Sequence, residues 1–170
     1  MTKPLAVITG ASSGIGEATA KAFSAAGYPT LLLARRLQRM EALNLPNAMC
    51  RQVDVRNRDA LVAAIREAEA EYGPTDMIFN NAGVARLADI GTQPPEDWDE
   101  MIGINTNGVM NGVYAVMGQM KERGTGTIVN MSSIAGRKVY EDHTVYCGTK
   151  YFVHAISEGI RAYLSPHNVR

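Results

Sequence analysis

The sequence is poor in the features that mark several broad classes of protein. It has two cysteines, Cys50 and Cys147, in 170 residues. They are too few and too loosely placed for a disulfide framework or a zinc site, and both are expected to be free thiols. His143, His154 and His167 show no ligand spacing, so no metal is expected. Charge of neither sign prevails, because 17 Lys and Arg balance 17 Asp and Glu. With no basic tract and no basic patch interleaved with aromatics, nucleic acid is not expected as a partner. No apolar run approaches membrane-spanning length, and the amino terminus leads straight into an apolar strand without a signal peptide. A cytoplasmic protein without membrane association is therefore expected. Internal repeats and low-complexity segments are lacking as well.

What is present is enough for one sizeable core: 46% of the residues are hydrophobic and 20% charged. Residues 1–170 are expected to form a single domain. Strand patterns near 5–9, 30–34, 49–53, 77–80 and 127–131 alternate with helical patterns near 13–26, 37–43, 58–72, 96–121 and 144–163. This β-α-β series predicts an α/β fold with a doubly wound parallel sheet covered on both faces. Right-handed crossovers then place the carboxyl ends of the strands on one edge, where ligands bind. Pro94-Pro95-Glu96-Asp97 opens the long helix with prolines and acids in its first turn, and Trp98 is expected to anchor it by packing. Val109, Val113, Val116, Met117 and Met120 make one apolar stripe, and Phe152, Ile156 and Tyr163 another. Part of these stripes is expected in the core and any excess at a subunit interface.

Leu5-Ala6-Val7-Ile8 runs directly into Thr9-Gly10-Ala11-Ser12-Ser13-Gly14-Ile15-Gly16. In a strand-to-helix turn, Gly10 suits the turn, Gly14 lets backbone approach a phosphate and Gly16 lets the helix pack closely. The free N–H groups and dipole of the following helix would face a pyrophosphate. A turn that binds nothing is the competing reading. The spacing is G-x-x-x-G-x-G and departs from the commoner G-x-G-x-x-G.

Dinucleotide folds choose between cofactors at the end of the second strand, where an acid takes the ribose hydroxyls. Ala34 stands there, followed by Arg35 and Arg36. Two guanidiniums without a carboxylate favour a ribose 2′-phosphate, hence NADP(H) over NAD. The alternative is that Arg35, Arg36 and Arg39 are only the solvated face of a short helix.

Tyr146 and Lys150 lie four apart, on one face of a helix, with Ser133 thirteen residues upstream of the tyrosine. A cation about 4 Å from a phenol, at an effective dielectric near 20, favours the phenolate by roughly 4 kcal/mol. Such a phenol can donate and recover a proton near neutral pH. Taken alone the pair is weak, since Tyr and Lys at helical spacing often reflect surface packing. Cys147, beside the tyrosine, reads as a small helical residue before it reads as a redox site.

Taken in order, these motifs resemble those of the short-chain dehydrogenase/reductase family along essentially the whole chain. Thr9 to Gly16 is similar to T-G-x-x-x-G-x-G, Asn80-Asn81-Ala82-Gly83 to N-N-A-G, and Asn105 to the asparagine of the long helix. Ser133 is similar to the family's serine, and Tyr146 with Lys150 to its Y-x-x-x-K. The resemblance implies a Rossmann-like three-layer α/β/α fold and an NADP(H)-dependent oxidoreductase acting on a small carbonyl or alcohol, such as a hydroxy acid, a hydroxy amino acid or a ketone. It implies catalytic roles for Asn105, Ser133, Tyr146 and Lys150: Tyr146 as acid, Ser133 polarising the carbonyl oxygen, Lys150 favouring the phenolate and binding the nicotinamide ribose. Asn105 would hold a relay water through its main chain. Cofactor contacts would come from Gly10, Ser12, Ser13, Gly14, Ile15, Gly16, Arg35, Arg36, Asp54 and Val55, with Asp54 at the adenine amino group. Asn81, Ala82, Gly83, Tyr146 and Lys150 would complete them. A homodimer or homotetramer through the helices near 96–121 and 144–163 is implied. So is a longer family chain, with further strands and a substrate-covering segment beyond Arg170. A 3-oxoacyl thioester reductase and a non-catalytic NADP-binding or sensing protein are the alternatives. Asn81-Ala82-Gly83 as a plain turn, Ser132-Ser133 as a loop cap and Asn105 as a helix cap are the bland readings of these motifs.

Overall fold

The computed structural model describes residues 3–170. Five strands, β1 (Leu5–Thr9), β2 (Thr30–Ala34), β3 (Ala48–Gln52), β4 (Thr75–Asn80) and β5 (Thr127–Asn130), form one sheet in the order β3-β2-β1-β4-β5. Every neighbouring pair is parallel. Parallel strands need crossovers, and helices α1 (Gly14–Ala25), α2 (Leu37–Glu41) and α3 (Arg58–Tyr72) supply the first three. Helices α4 (Pro95–Ile102) and α5 (Gly108–Arg123) lie between β4 and β5, and α6 (Thr144–Leu164) follows β5.

The strands are uncharged at the centre because they are covered on both sides. In β2, Leu31 and Leu33 enter a core with Leu5, Val7, Leu61, Ile65 and Val116, while Leu32 enters the opposite core with Ile8, Ala20, Met40 and Phe79. Successive residues of a strand alternate faces, so one run of leucines serves two helical layers. Each such leucine, fully buried, contributes about 1.5–3 kcal/mol. Helix α3 begins where Asn57 caps it, its side chain accepting from the Ala60 N–H at 3.0 Å. The chain order reverses between β1 and β4, which opens a crevice at their carboxyl ends.

The expected helix over 96–121 is not continuous. Gly103–Asn107 forms a π-turn between α4 and α5, and the Gly108 N–H reaches back to the Gly103 carbonyl. Gly108 is required there, since a Cβ would come within 2.6 Å of Val55 Cγ2. The inserted residue turns Asn105 inward until it is fully buried. Val109, Val113, Val116 and Met120 are buried as expected, whereas Phe152 and Tyr163 are exposed. On α6 the inward face instead carries Cys147, Thr149, Lys150, Val153 and Leu164. Trp98 is anchored as expected, its Nε1 donating to Gln93 Oε1 at 3.0 Å. Val169 pairs in parallel with Gly126 beside β5. Among the described residues no helix is long and apolar enough to cross a membrane, and no group of three or more His, Cys, Asp or Glu is placed to hold a metal.

Candidate active site

A cleft of about 740 Å³ runs along the carboxyl edge of the sheet. Its walls come from the segments after all five strands: Gly10, Ser12, Ser13 and Ile15 after β1, Arg35 and Arg36 after β2, Asp54 and Val55 after β3, Asn81 to Ala85 after β4, and Met131 to Ser133 after β5. Tyr146 and Lys150 of α6 close one end. Gly16 and Asn105 are buried behind this lining. Gly14 lies at the open start of α1, with φ +58 and nothing within 4 Å of where a Cβ would stand.

The glycine turn is shaped by close approach. Gly10 has φ +67 and a Cβ on it would come within 2.8 Å of Ala82 Cα, while one on Gly16 would overlap the Gly10 carbonyl. Thr9 ties this turn to the end of β4: its hydroxyl accepts from the N–H groups of Asn81 and Ala82, both at 3.0 Å. Asn81 Nδ2 returns a bond to the Thr9 carbonyl at 2.9 Å. Asn81 thus braces the two central strands at the crevice.

Ser13 caps α1 without a side-chain bond to the helix, because its hydroxyl accepts from Arg36 Nη2 at 2.8 Å. Arg36 also donates to Ser12 Oγ from Nε at 3.2 Å and from Nη2 at 3.0 Å. The first N–H groups of α1 therefore stay available, next to a guanidinium and two hydroxyls whose hydrogens are free to donate. That is an arrangement for an anion. Arg35 turns instead towards Glu100 of α4, at 3.4 Å. Asp54 is held by Arg56, with Nη2 to Oδ2 at 2.6 Å and Nε to Oδ1 at 3.0 Å. The hydrogen bond from Arg56 holds the Asp54 carboxyl below its ordinary range. Arg36 precedes α2 and bonds the glycine turn, so it is not part of a merely solvated helix face.

At the other end, Ser133 caps a short 3₁₀ turn, Ile134–Gly136, its Oγ accepting from the Ala135 N–H at 3.1 Å. The cap uses a lone pair and leaves the O–H free to donate into the cleft. Lys150 is buried, with 5% of its surface exposed, and donates from Nζ to the Met131 carbonyl at 2.8 Å. Burial holds its ammonium pKa below the ordinary lysine range. Its Nζ stands 5.8 Å from the centre of the Tyr146 ring. The ammonium is therefore anchored on the Met131 carbonyl beside the Tyr146 ring. Tyr146 is half-buried, with the His143 ring edge-on at 6.5 Å.

Asn105 spends its side chain on structure. It accepts from the Val84 N–H at 2.9 Å and donates to the Val84 carbonyl at 2.8 Å and to Thr149 Oγ1 at 3.1 Å. The loop after β4, the π-turn and α6 are locked together by that one amide. A Cβ on Gly83 would lie 3.3 Å from Asn105 Oδ1 and 3.7 Å from Lys150 Nζ, which places the glycine at this junction. Cys147 is buried, its thiol 3.7 Å from the Lys138 carbonyl.

Several lining groups were not singled out from the sequence. Val53, Val84, Ala85 and Ile104 are apolar wall, and Met131 acts through its carbonyl. No side-chain type announces a carbonyl. Arg56 and Glu100 were also missed, although charged residues beside a ligand-binding edge are a usable signal.

The sequence profile of the short chain dehydrogenases matches residues 4–170. An uncharacterised oxidoreductase of Staphylococcus saprophyticus is 40% identical over 159 residues, 91% of this chain. One of Listeria monocytogenes is 36% identical over 161 residues, again 91% of this chain. The chain spans 65% of the length of each of these curated relatives. Among solved structures, the closed form of serine dehydrogenase complexed with NADP+ superposes with a TM-score of 0.94 at 34% identity, covering 98% of this chain and 68% of that one. With the parallel sheet and the cleft at its carboxyl edge, these matches establish that the chain belongs to the short-chain dehydrogenase/reductase family.

Proposed function

We propose that this chain carries the cofactor site and catalytic groups of an NADP(H)-dependent oxidoreductase. It would interconvert a small carbonyl compound, such as a keto acid or ketone, and the corresponding alcohol. The observation that carries the reading is one cleft with an anion-binding corner at Arg36, Ser12 and Ser13 and an acid-bearing corner at Ser133, Tyr146 and Lys150. The residues present fit a dinucleotide. The α1 N-terminus is uncapped by a side chain, Gly14 leaves open space, and the cleft volume lies within the usual range for small-molecule sites, about 300–1,000 Å³. Arg35 and Arg36, with Ala34 where an acid would repel phosphate, favour NADP(H) over NAD. The NADP+ complex of the similar serine dehydrogenase supports the same choice.

Held by Arg36, Ser12, Ser13 and Lys150, a bound nicotinamide cofactor would supply the hydride that the carbonyl carbon takes up. Tyr146 gives its phenolic proton to the carbonyl oxygen. Ser133, whose Oγ is already fixed by the Ala135 N–H, donates its O–H to that same oxygen and holds it in place. Lys150 keeps one N–H on Met131 and directs its remaining donors and its charge into the cleft, towards the ribose hydroxyls and the phenolate left on Tyr146. Both N–H donors of the Asn105 amide are engaged by Val84 and Thr149, and its part in returning a proton would be played by its main chain, as in the family it resembles. Asp54, steadied by Arg56, borders the adenine end with Val55 beneath it.

The test is Tyr146→Phe in the full-length protein, with NADPH oxidation followed against a panel of small keto acids and ketones. Turnover should fall by at least about 10²- to 10⁴-fold, the usual worth of a positioned acid, with NADPH binding kept. Retained turnover would sink the mechanism.

A further inference from the structure

The two arginines after β2 are in different states. Arg36 is committed to the glycine turn through Ser12 and Ser13. Arg35 also lines the cleft, yet its Nη1 points to Glu100 Oε1 on α4, 3.4 Å away. Glu100 is shared: Arg86, on the loop after β4, donates from Nε to its other oxygen at 2.9 Å. Arg86 first, and Arg35 less strongly, hold the Glu100 carboxyl below its ordinary range. A phosphate arriving at this rim finds one guanidinium already engaged and a carboxylate beside it.

We propose that Glu100 is a specificity-determining residue that tethers Arg35 away from the cofactor's 2′-phosphate and thereby restrains the preference for NADPH over NADH. This rests on the NADP(H) reading above. Two effects act in the same direction. Arg35 must leave or share Glu100 before it can meet a phosphate, and the carboxylate itself repels that phosphate. NADH carries no 2′-phosphate and feels neither. The Arg35 side chain is 53% exposed and that of Glu100 22%, so the pair is water-screened and breakable. Glu100 therefore tunes the preference without abolishing it.

The measurement is fluorescence titration of the full-length protein with NADPH and with NADH. Glu100→Gln keeps the shape of the side chain and removes its charge. It should tighten NADPH by roughly two- to five-fold, the scale of an exposed ion pair, and leave NADH unchanged. The gain should fade at about 1 M salt, where charges are screened within roughly 3 Å. In an Arg35→Ala background Glu100→Gln should do much less, since the tethered group is gone. Each ratio is taken within one preparation, so a misfolded fraction cancels, and Glu100→Ala serves as a second variant. Unchanged or weaker NADPH binding, or equal tightening of both nucleotides, would overturn the proposal. Arg36→Ala separates the two levels. If it fails to weaken NADPH relative to NADH, the NADP(H) reading itself falls; if it does weaken NADPH while Glu100→Gln is silent, only the tether is lost.

Discussion

Thr9 shows how one hydroxyl supports the cleft. It is 1% exposed and accepts two backbone N–H groups from the turn after β4. Thr9→Val keeps the shape and leaves the Ala82 N–H without an acceptor, while the Asn81 N–H keeps only the Phe79 carbonyl at 3.0 Å. One orphaned donor costs about 1–3 kcal/mol, so the variant should lose stability on that scale. Urea unfolding checks this, and a change below about 0.5 kcal/mol would show that the brace is unimportant. Asn105 is the second case: Asn105→Ala removes the amide that joins the β4 loop to α6 and is expected to destabilise on the order of 2–3 kcal/mol in the same assay. The groups brought to the cleft were largely legible in the sequence as residue types at fixed spacings. Their supports were not. Arg36 reaches Ser12 and Ser13 across the fold, Lys150 sits on the Met131 carbonyl, and Asn105 spends its amide on Val84 and Thr149. Such partners are distant in sequence, and two of the five, the Met131 and Val84 carbonyls, are backbone atoms that every residue carries.

Between elements, the clearest coupling runs through Glu69. This α3 carboxylate accepts from the Thr75 N–H at the start of β4, from Gln119 Nε2 of α5, and from Arg66 one turn away. Burial pushes its pKa up, but hydrogen bonds from Thr75, Gln119 and Arg66 more than reverse this and hold the carboxyl below its ordinary value of 4.5. A group with a depressed folded pKa adds stability that is fully present above the unfolded value and is lost as pH falls through the folded one. Wild-type stability should therefore drop more steeply below about pH 4.5 than that of Glu69→Gln. Thermal midpoints from pH 7 to 3 test this, and parallel curves for the two proteins would contradict it. At the scale of elements, β1 and β2 were legible because uncharged runs of five residues suit strands covered on both faces, whereas β3 and β4 carry Arg51 and Asp76 and were legible through the alternation of strand and helix patterns. The break in the long helix was not, although Gly103 and Gly108 flank it. Amphipathic periodicity runs through a single inserted residue with little change, and Val55 and Arg56, which lie close against those glycines, are distant in sequence. On α6 the stripe was legible only as an apolar face: Phe152 and Tyr163 repeat at helical spacing and are exposed, while the face turned inward holds Lys150 and Thr149.

For the whole molecule, the parallel order and the position of the cleft follow from the alternation of strands and helices, and both were legible. Which surfaces meet another subunit was not, because an apolar stripe looks the same in a core and at an interface. Met110 and Tyr114 on α5, and Tyr151, Phe152 and Tyr163 on α6, are exposed apolar residues on the two helices proposed for self-association. Sedimentation of the full-length protein at micromolar concentration is expected to show a dimer or tetramer, and a monomer alone would contradict that proposal.

Hydride transfer is what separates the proposed enzyme from a protein that only binds the nucleotide. The direct test is to incubate the full-length protein with NADPH deuterated at the transferring C4 position and a panel of small keto acids and ketones, then analyse the alcohols by mass spectrometry. Alcohol carrying one deuterium on the former carbonyl carbon is expected with wild-type protein, and at least about 10²-fold less with Tyr146→Phe. Tight NADPH binding with no deuterium in any product would contradict hydride transfer and favour a protein that only binds the nucleotide.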